Sequence, residues 1–270
     1  MNLFQSFVLG LVQGLGEFLP VSSSGHLVLI PWAFKWPDPG LGFDVALHAG
    51  TLLAVLAYFR RDLWRLAVGF ACSLLPYTRD LRNNPDQRLS WLLLLASVPG
   101  ALIGRLAEKQ ADTLFRSPLI VACAMAIFAL ILLVADCWRS KRRGFETIRW
   151  PDALLIGLSQ ALAIVPGVSR SGSTIAAGLG LGLQRADAAR FSFLMSVPII
   201  LGAVLFKIRH LTDGSTPGEL VVGFVTSAVF GFLAIRYLLR YVATHNYLVF
   251  VWYRLALAAL VFAALAFGVR

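Results

Sequence analysis

The sequence predicts an all-α integral membrane protein that crosses the bilayer several times. Of its 270 residues, 58% are hydrophobic and only 14% are charged, and the mean hydropathy is +0.76. A water-soluble protein is usually about 45–50% apolar. The apolar residues also form continuous runs, which favour helices over the alternating strands of a membrane barrel. We therefore expect one integral membrane domain over residues 1–270.

Six apolar runs are close to the roughly 20 residues that a helix needs to cross the hydrocarbon core. Because lipid offers no hydrogen-bond partner, each run must satisfy its backbone internally, as a helix does. The six predicted spanning helices cover residues 43–59, 90–106, 118–135, 189–206, 219–238 and 248–268.

Two further stretches have a helical pattern that is interrupted by a polar turn. The apolar run 3–19 stops at Pro20, and Val-Ser-Ser-Ser-Gly-His and a second short run follow. The run 153–165 stops at Pro166, and Gly-Val-Ser-Arg-Ser-Gly-Ser-Thr and another short run follow. We therefore predict two re-entrant helix hairpins, each dipping into the membrane and returning.

The two interrupted stretches share a sequence pattern. Residues 10–15 and 157–162 both read Gly-Leu-x-Gln-x-Leu, and residues 21–25 and 168–172 both read Val-Ser-x-Ser-Gly, at a constant offset of 147. An offset near half the chain indicates an internal duplication. The predicted repeats cover about residues 1–106 and 150–250.

Loop charges predict the orientation in the membrane. Residues 60–89 carry six Lys or Arg and residues 139–149 carry five, whereas residues 105–117 carry three. Placing the first two loops inside assigns 15 basic residues to inside loops and seven to outside ones, as the positive-inside rule expects. This clustering accounts for the net charge of +10 without a nucleic-acid partner. The first hairpin then enters from outside and the second from inside, so the repeat is inverted and its breaks meet near the midplane.

The first break combines a carboxylate with hydroxyls and an imidazole. Glu17 is the only acidic residue among the first 37, and a charge at membrane depth costs at least about 2.5–3.5 kcal/mol, so it usually serves a function. Gln13 lies one helical turn earlier, and Ser22, Ser23 and His26 follow. This set could supply a nucleophile, a proton acceptor and hydrogen-bond donors. The alternatives are a Glu17 that reaches water at a helix end and a purely structural His26.

The second break places Arg170 among hydroxyls and a glycine. A guanidinium offers a fork of donors that matches phosphate oxygens, and a glycine-containing helix N-terminus adds accessible N–H groups and positive potential. We predict a phosphate or diphosphate site, the alternative being a loop arginine at the interface. The predicted binding residues are Ser169, Arg170, Ser171, Gly172, Ser173 and Thr174, with Gln13 and Ser22 from the first break.

Asp44 and His48 are a further pair one helical turn apart. They could face the same region, but an ordinary pair at a helix end explains them equally well. The residues alone allow either hydrolysis of a phosphorylated lipid or transport of an anion.

Three motifs resemble the undecaprenyl-diphosphate phosphatase family of the bacitracin-resistance type. Residues 13–20 (Gln-Gly-Leu-Gly-Glu-Phe-Leu-Pro) are similar to its (Glu/Gln)-x-x-x-Glu box, and residues 22–26 to its serine-rich turn with a histidine. Residues 166–174 (Pro-Gly-Val-Ser-Arg-Ser-Gly-Ser-Thr) are similar to its Pro-Gly-x-Ser-Arg-Ser-x-x-Thr box. With residues 43–51 and 190–194, the resemblance extends over nearly the whole chain.

The resemblance implies an enzyme that hydrolyses undecaprenyl diphosphate to undecaprenyl phosphate and phosphate. That reaction recycles the carrier lipid for cell-wall synthesis and confers bacitracin resistance. The resemblance also implies a multi-pass protein of the bacterial inner membrane whose site faces the extracytoplasmic side. A flippase or transporter of a lipid phosphate or another anion is the alternative function, and a homo-oligomer is a further expectation.

The resemblance also implies site residues and a divalent cation, Mg²⁺ or Ca²⁺. The nucleophile is then Ser23 or a water molecule. Gln13 stands where many members carry Glu, which removes one metal ligand. We therefore expect the cation to be bound mainly by the diphosphate, with Glu17 as the candidate protein ligand. The residues predicted to be catalytic are Glu17, Ser23, His26 and Arg170, and Ser169 and Thr174 are also functional candidates.

Overall fold

The computed structural model describes residues 1–107, 114–138, 140–211 and 214–268. Within these ranges the regular secondary structure consists of α-helices and short 3-10 helices. The middle of the predicted outside loop, residues 108–113, lies outside the described residues, as does Arg139 of the predicted inside loop. In chain order the described α-helices are α1 Leu3–Phe18, α2 Ser23–Phe34, α3 Gly40–Tyr58, α4 Arg60–Ser73, α5 Pro85–Leu106, α6 Pro118–Trp138, α7 Trp150–Ala161, α8 Arg170–Gly180, α9 Arg185–Lys207, α10 Pro217–Val242 and α11 Leu248–Ala266.

The predicted all-α membrane fold is confirmed. Six of the described helices, α3, α5, α6, α9, α10 and α11, are long and apolar enough to cross a bilayer, and they coincide with the six predicted spans. Many of their large apolar side chains are exposed on the outside of the bundle, as a lipid-facing surface requires. Each has the length that the hydrocarbon core demands.

Helix α4 was not predicted. It lies within residues 60–89, which were predicted to form a loop because they are rich in charged residues. Its buried residues, Leu66, Gly69 and Ser73, recur every three or four positions, which is the spacing of an amphipathic helix. Arg65 on its polar side pairs with Asp86 of α5 at 2.8 Å. The prediction of a loop was therefore wrong for residues 60–73, since an amphipathic helix carries as many charges as a polar loop does.

The two predicted breaks have the same local geometry. Ser22 before α2 and Ser169 before α8 both have a positive φ, 71° and 73°. Each caps its helix by accepting a hydrogen bond from a glycine N–H three residues later, Gly25 at 3.3 Å and Gly172 at 3.0 Å. Positive φ is uncommon for serine and concentrates at functional sites. These positions are separated by 147 residues, the offset of the shared sequence patterns.

The helices of the two halves interleave. Helices α1 and α3 pack on α10, α7 packs on α5, and α9 contacts α3, α5 and α10. A Cβ on Gly10 would lie 2.8 Å from the carbonyl oxygen of Gly223, and a Cβ on Gly157 would clash with that of Ala96. Small residues permit this close approach of helices. The depth of the hairpins in a bilayer and the inverted repeat stay predictions.

Candidate active site

A cavity of about 190 Å³ lies where the two breaks meet. Its polar residues come from both breaks and from α3, and most of its apolar residues come from α9. The lining residues are Gly16, Glu17, Ser23, Ser24, His48, Ala163, Ser169, Arg170, Ile199, Ile200 and Ala203.

Glu17, in the last turn of α1, is the centre of a hydrogen-bond network. Oε2 accepts from Nε2 of Gln13 at 3.1 Å and from Oγ of Ser23 at 2.9 Å. Oε1 accepts from Nε and Nη2 of Arg170, at 3.2 and 3.1 Å. The carboxylate is only 7% exposed, so this network replaces the water that an ionised group needs. It also joins the two breaks through one ion pair.

Arg170 is held in place from its own side of the cavity. Its Nη1 donates to the carbonyl oxygen of Ser192 in α9 at 3.1 Å. The hydroxyl of Thr174 donates to the Arg170 carbonyl oxygen at 2.8 Å and lies 2.6 Å from the hydroxyl of Ser192. These contacts turn the guanidinium toward Glu17 and the cavity.

Two serine hydroxyls connect the backbones of the breaks. Oγ of Ser22 accepts from the N–H of Gly167 at 3.1 Å, and Oγ of Ser171 donates to the carbonyl oxygen of Leu19 at 3.2 Å. Each bond reaches from one break to the other. The breaks therefore form one structural unit.

Arg254 of α11 donates hydrogen bonds to the backbone of both breaks. It is fully buried, and its guanidinium donates to Pro20 of the first break at 3.4 Å and to Gly167 and Val168 of the second at 2.8 and 3.1 Å. Arg254 is not among the predicted site residues, although an arginine inside an apolar span is the kind of residue that marks function. Together with Arg170 it gives the breaks two guanidinium groups against the carboxylate of Glu17, a balance that favours an anionic ligand.

The predicted site residues fall into three groups. Glu17, Ser23, Ser169 and Arg170 line the cavity, whereas Gln13 and Ser22 support it through the bonds described above. The others of the second break bond to the protein itself, since the Gly172 N–H caps α8 on Ser169 and the Ser173 hydroxyl donates to the carbonyl oxygen of Arg170. The roles proposed for these residues stay predictions.

The two histidines near the breaks differ in position. His26 does not line the cavity; its ring stacks on Tyr253 with 5.6 Å between centroids and lies 2.6 Å from the Tyr253 hydroxyl through Nε2. His48 does line the cavity, which supports the first of the two interpretations of the Asp44–His48 pair.

An apolar groove adjoins the cavity. It has a volume of about 670 Å³, lies between α5 and α9, and shares Ile199 and Ala203 with the lining of the cavity. Arg105 and Lys207 line the groove where the two helices end. A polar cavity joined to an apolar groove is suited to a molecule with an anionic head and a hydrocarbon tail.

Comparison with known proteins identifies the family. Residues 6–260 match the family model described as bacitracin resistance protein BacA. The undecaprenyl-diphosphatase of Moorella thermoacetica is 53% identical over 263 residues, which cover 97% of this chain and 98% of that protein. That of Rubrobacter xylanophilus is 50% identical over 271 residues, covering 98% and 99%. The residues matched by the family model include both breaks, five of the six spans and most of the sixth. The chain belongs to the bacitracin resistance protein BacA family.

Proposed function

We propose that this protein hydrolyses undecaprenyl diphosphate to undecaprenyl phosphate and inorganic phosphate. The observation that carries the proposal is the Glu17–Arg170–Ser23 network on a small cavity inside a membrane protein. It is supported by relatives of nearly the same length that bear the name undecaprenyl-diphosphatase. The reaction would return the carrier lipid to cell-wall synthesis and so counter bacitracin.

The cavity suits the diphosphate head. Arg170 can present its guanidinium to phosphate oxygens, a pairing in which two parallel hydrogen bonds form. The second guanidinium, of Arg254, lies behind the breaks and adds positive potential without lining the cavity. As the bond between the terminal phosphorus and the bridging oxygen breaks, fixed positive groups stabilise the charge that develops on the phosphoryl oxygens.

The apolar groove suits the lipid tail. It begins at the cavity wall formed by Ile199 and Ala203, so the reacting phosphate and the first isoprenoid units would lie in neighbouring spaces. Burying apolar surface contributes about 25 cal/mol per Å². The groove therefore favours a long lipid diphosphate over a small water-soluble diphosphate.

Two nucleophiles are compatible with the geometry. The Ser23 hydroxyl donates to Glu17 at 2.9 Å and lines the cavity, as an activated serine would. A water molecule in the same cavity is the other. In either case the bond between the terminal phosphorus and the bridging oxygen breaks, and the lipid leaves as its monophosphate. With Ser23 as the nucleophile, water then hydrolyses the phosphoserine and releases inorganic phosphate.

A divalent cation that arrives with the diphosphate fits these residues. Within the described ranges, no cluster of three or more His, Cys, Asp or Glu side chains forms a metal site. Mg²⁺ typically takes few protein ligands and several phosphate oxygens. When bound, the cation would neutralise charge on the diphosphate. Glu17, the carboxylate that lines the cavity, would be its candidate protein ligand in place of one of its four hydrogen-bond donors.

We place the protein in the bacterial inner membrane, with the cavity open to the extracytoplasmic side. The loop charges support this orientation, as the positive-inside rule predicts. The homo-oligomer stays a prediction.

The test of the proposed function is phosphate release from undecaprenyl diphosphate by the purified protein in detergent. We expect the wild type to release phosphate. In Arg170→Ala we expect kcat/KM to be at least about 100-fold lower, because the developing charge loses its main partner. Arg65→Ala is the matched control, since this exposed arginine pairs with Asp86 away from the cavity. A wild type that releases no phosphate would favour a transporter. Equal rates in wild type and Arg170→Ala would remove Arg170 from the site.

A further inference from the structure

The ring of His48 has one nitrogen fixed by the backbone. Its Nδ1 lies 2.7 Å from the carbonyl oxygen of Asp44, one helical turn earlier. A carbonyl oxygen can only accept a hydrogen bond, so Nδ1 carries the proton of the neutral ring. The lone pair is then on Nε2, and the fixed tautomer makes Nε2 the proton-accepting atom.

The other ring nitrogen of His48, Nε2, makes no hydrogen bond to the described residues. The residue is partly buried in α3 and lines the cavity that Glu17, Ser23 and Arg170 share. In the part of the chain that the structure describes, the hydrogen bond of its ring is the one from Nδ1. A general base needs this combination of a free lone pair, a fixed orientation and access to the reacting molecule.

Glu17 is less suited to take a proton from an incoming water. An ionised carboxylate has about four lone-pair sites, and Glu17 accepts four hydrogen bonds from Gln13, Ser23 and Arg170. A water molecule would have to displace one of these donors before Glu17 could accept its proton. The network therefore fits a structural and electrostatic role for Glu17.

His26 is engaged at both ring nitrogens. Its Nδ1 donates to the carbonyl oxygen of Ser22 at 2.7 Å, and its Nε2 accepts from the Tyr253 hydroxyl at 2.6 Å. It shares with His48 the backbone bond one turn earlier, but its second nitrogen is closed off by tyrosine. His26 therefore helps to fix the first break, whereas His48 lines the cavity.

We propose that Nε2 of His48 is the general base for the water molecule that attacks the terminal phosphorus. The inference rests on the proposed function. The water oxygen forms a bond to phosphorus, and the phosphorus bond to the bridging oxygen breaks. The bridging oxygen and its electron pair leave on the lipid monophosphate, and one water proton moves to Nε2. Inorganic phosphate, lipid monophosphate and a protonated His48 are the immediate products, and the ring then releases the proton to solvent.

The test uses His48→Gln, which keeps a polar side chain of similar length but cannot act as a base. Loss of a general base typically costs 10²–10⁴-fold. We therefore expect kcat to fall about 100-fold or more, while KM for undecaprenyl diphosphate stays within about threefold. In His48→Ala, added imidazole is expected to restore part of the lost kcat, because a small base can enter the vacated space.

The matched control is His245→Gln. This exposed histidine also has Nδ1 near the carbonyl oxygen of the residue four positions earlier, Tyr241, at 3.2 Å, but it lies beyond the end of α10 and not on the cavity. We expect its kcat to equal that of the wild type. The melting temperature of each variant, measured in the same detergent, shows that the proteins compared are folded.

The proposed function and this inference fail in different ways. A wild type without phosphatase activity defeats the proposed function. An active wild type together with an undiminished kcat in His48→Gln overturns the role of His48, as does a loss in His48→Ala that imidazole does not restore. A phosphoserine trapped at Ser23 during turnover would overturn it as well, because serine would then be the attacking group.

Discussion

Glu17 and Arg170 show what a buried ion pair needs in order to persist in an apolar protein. Removing two charges from water costs several kcal/mol each, which their attraction offsets only when the remaining hydrogen-bonding sites are filled. The carboxylate reaches that condition with four donors, and the guanidinium reaches it with the Ser192 carbonyl. Removal of either charge would leave the other buried and unpaired.

Glu17→Gln tests this dependence at a single residue. The amide keeps the shape of the side chain but leaves the Arg170 charge unpaired, an effect that costs about 3–5 kcal/mol in buried pairs. We expect a lower melting temperature and a phosphatase kcat/KM reduced at least about 100-fold. Glu146→Gln is the control, since it makes the same change at an exposed glutamate away from the cavity. Wild-type kcat/KM in Glu17→Gln would show that the ion pair is not needed for catalysis.

How much of the site could be predicted depended on the kind of residue. Glu17 and Arg170 could be found because a charge in an apolar run is costly wherever its side chain points. His48 could not be assigned, because the sequence does not fix which face of α3 turns toward the breaks. The hydroxyl of Thr174 matched an anion cradle in sequence, yet it turns to the Arg170 carbonyl, a choice that depends on local backbone geometry.

At the scale of the elements, the two breaks depend on a residue from neither of them. Short helices that begin inside a protein leave carbonyl and N–H groups without partners along the chain, and such groups are costly in apolar surroundings. Arg254 supplies donors to the carbonyls of Pro20, Gly167 and Val168. The long helix α11 thereby fixes the position of both hairpins.

Arg254→Met should separate this supporting role from catalysis. Methionine fills similar space but leaves the carbonyls of both breaks unsatisfied, at about 1–3 kcal/mol for each buried group. We expect a lower melting temperature and faster proteolysis near both breaks, with the loss of activity following the loss of folded protein. Arg236→Met, which changes an exposed arginine on α10, should leave both properties unchanged. An Arg254→Met protein as stable as the wild type would contradict the supporting role of Arg254.

Among the elements, the six spanning helices were predictable because bilayer thickness sets both their length and their hydropathy. Helix α4 was not, since hydropathy does not distinguish an amphipathic helix from a charged loop. Its burial against α5 is a tertiary property. The breaks themselves were predictable from Pro20, Pro166 and the serine–glycine turns that follow.

At the scale of the whole molecule, the two halves contribute different chemistry to one cavity. Ser23 and Arg170 are separated by the repeat offset of 147, and both donate to Glu17. One copy of the pattern thus supplies the carboxylate and a hydroxyl, and the other supplies the guanidinium. Neither half contains the complete network, so the interleaved packing of the helices is a condition for the site.

The contacts between loops agree with the predicted assignment of sides. Arg88 donates to the carbonyl oxygen of Glu146 at 2.7 Å, which joins two segments predicted to be inside. Arg116 pairs with Asp38 at 3.2 Å, which joins two segments predicted to be outside. The number of basic residues in each loop then indicates which face is cytoplasmic, because basic residues concentrate on the cytoplasmic face.

That orientation can be tested by labelling single cysteines in intact bacteria with a membrane-impermeant thiol reagent. In a background with Cys72, Cys123 and Cys137 replaced by serine, we expect Pro37→Cys to be labelled in intact cells that expose the outer face of the inner membrane. Arg79→Cys should be labelled only after the membrane is permeabilised. Both positions are exposed, so a difference reports the side of the membrane. The reverse pattern would place the first break, and with it the cavity, on the cytoplasmic side.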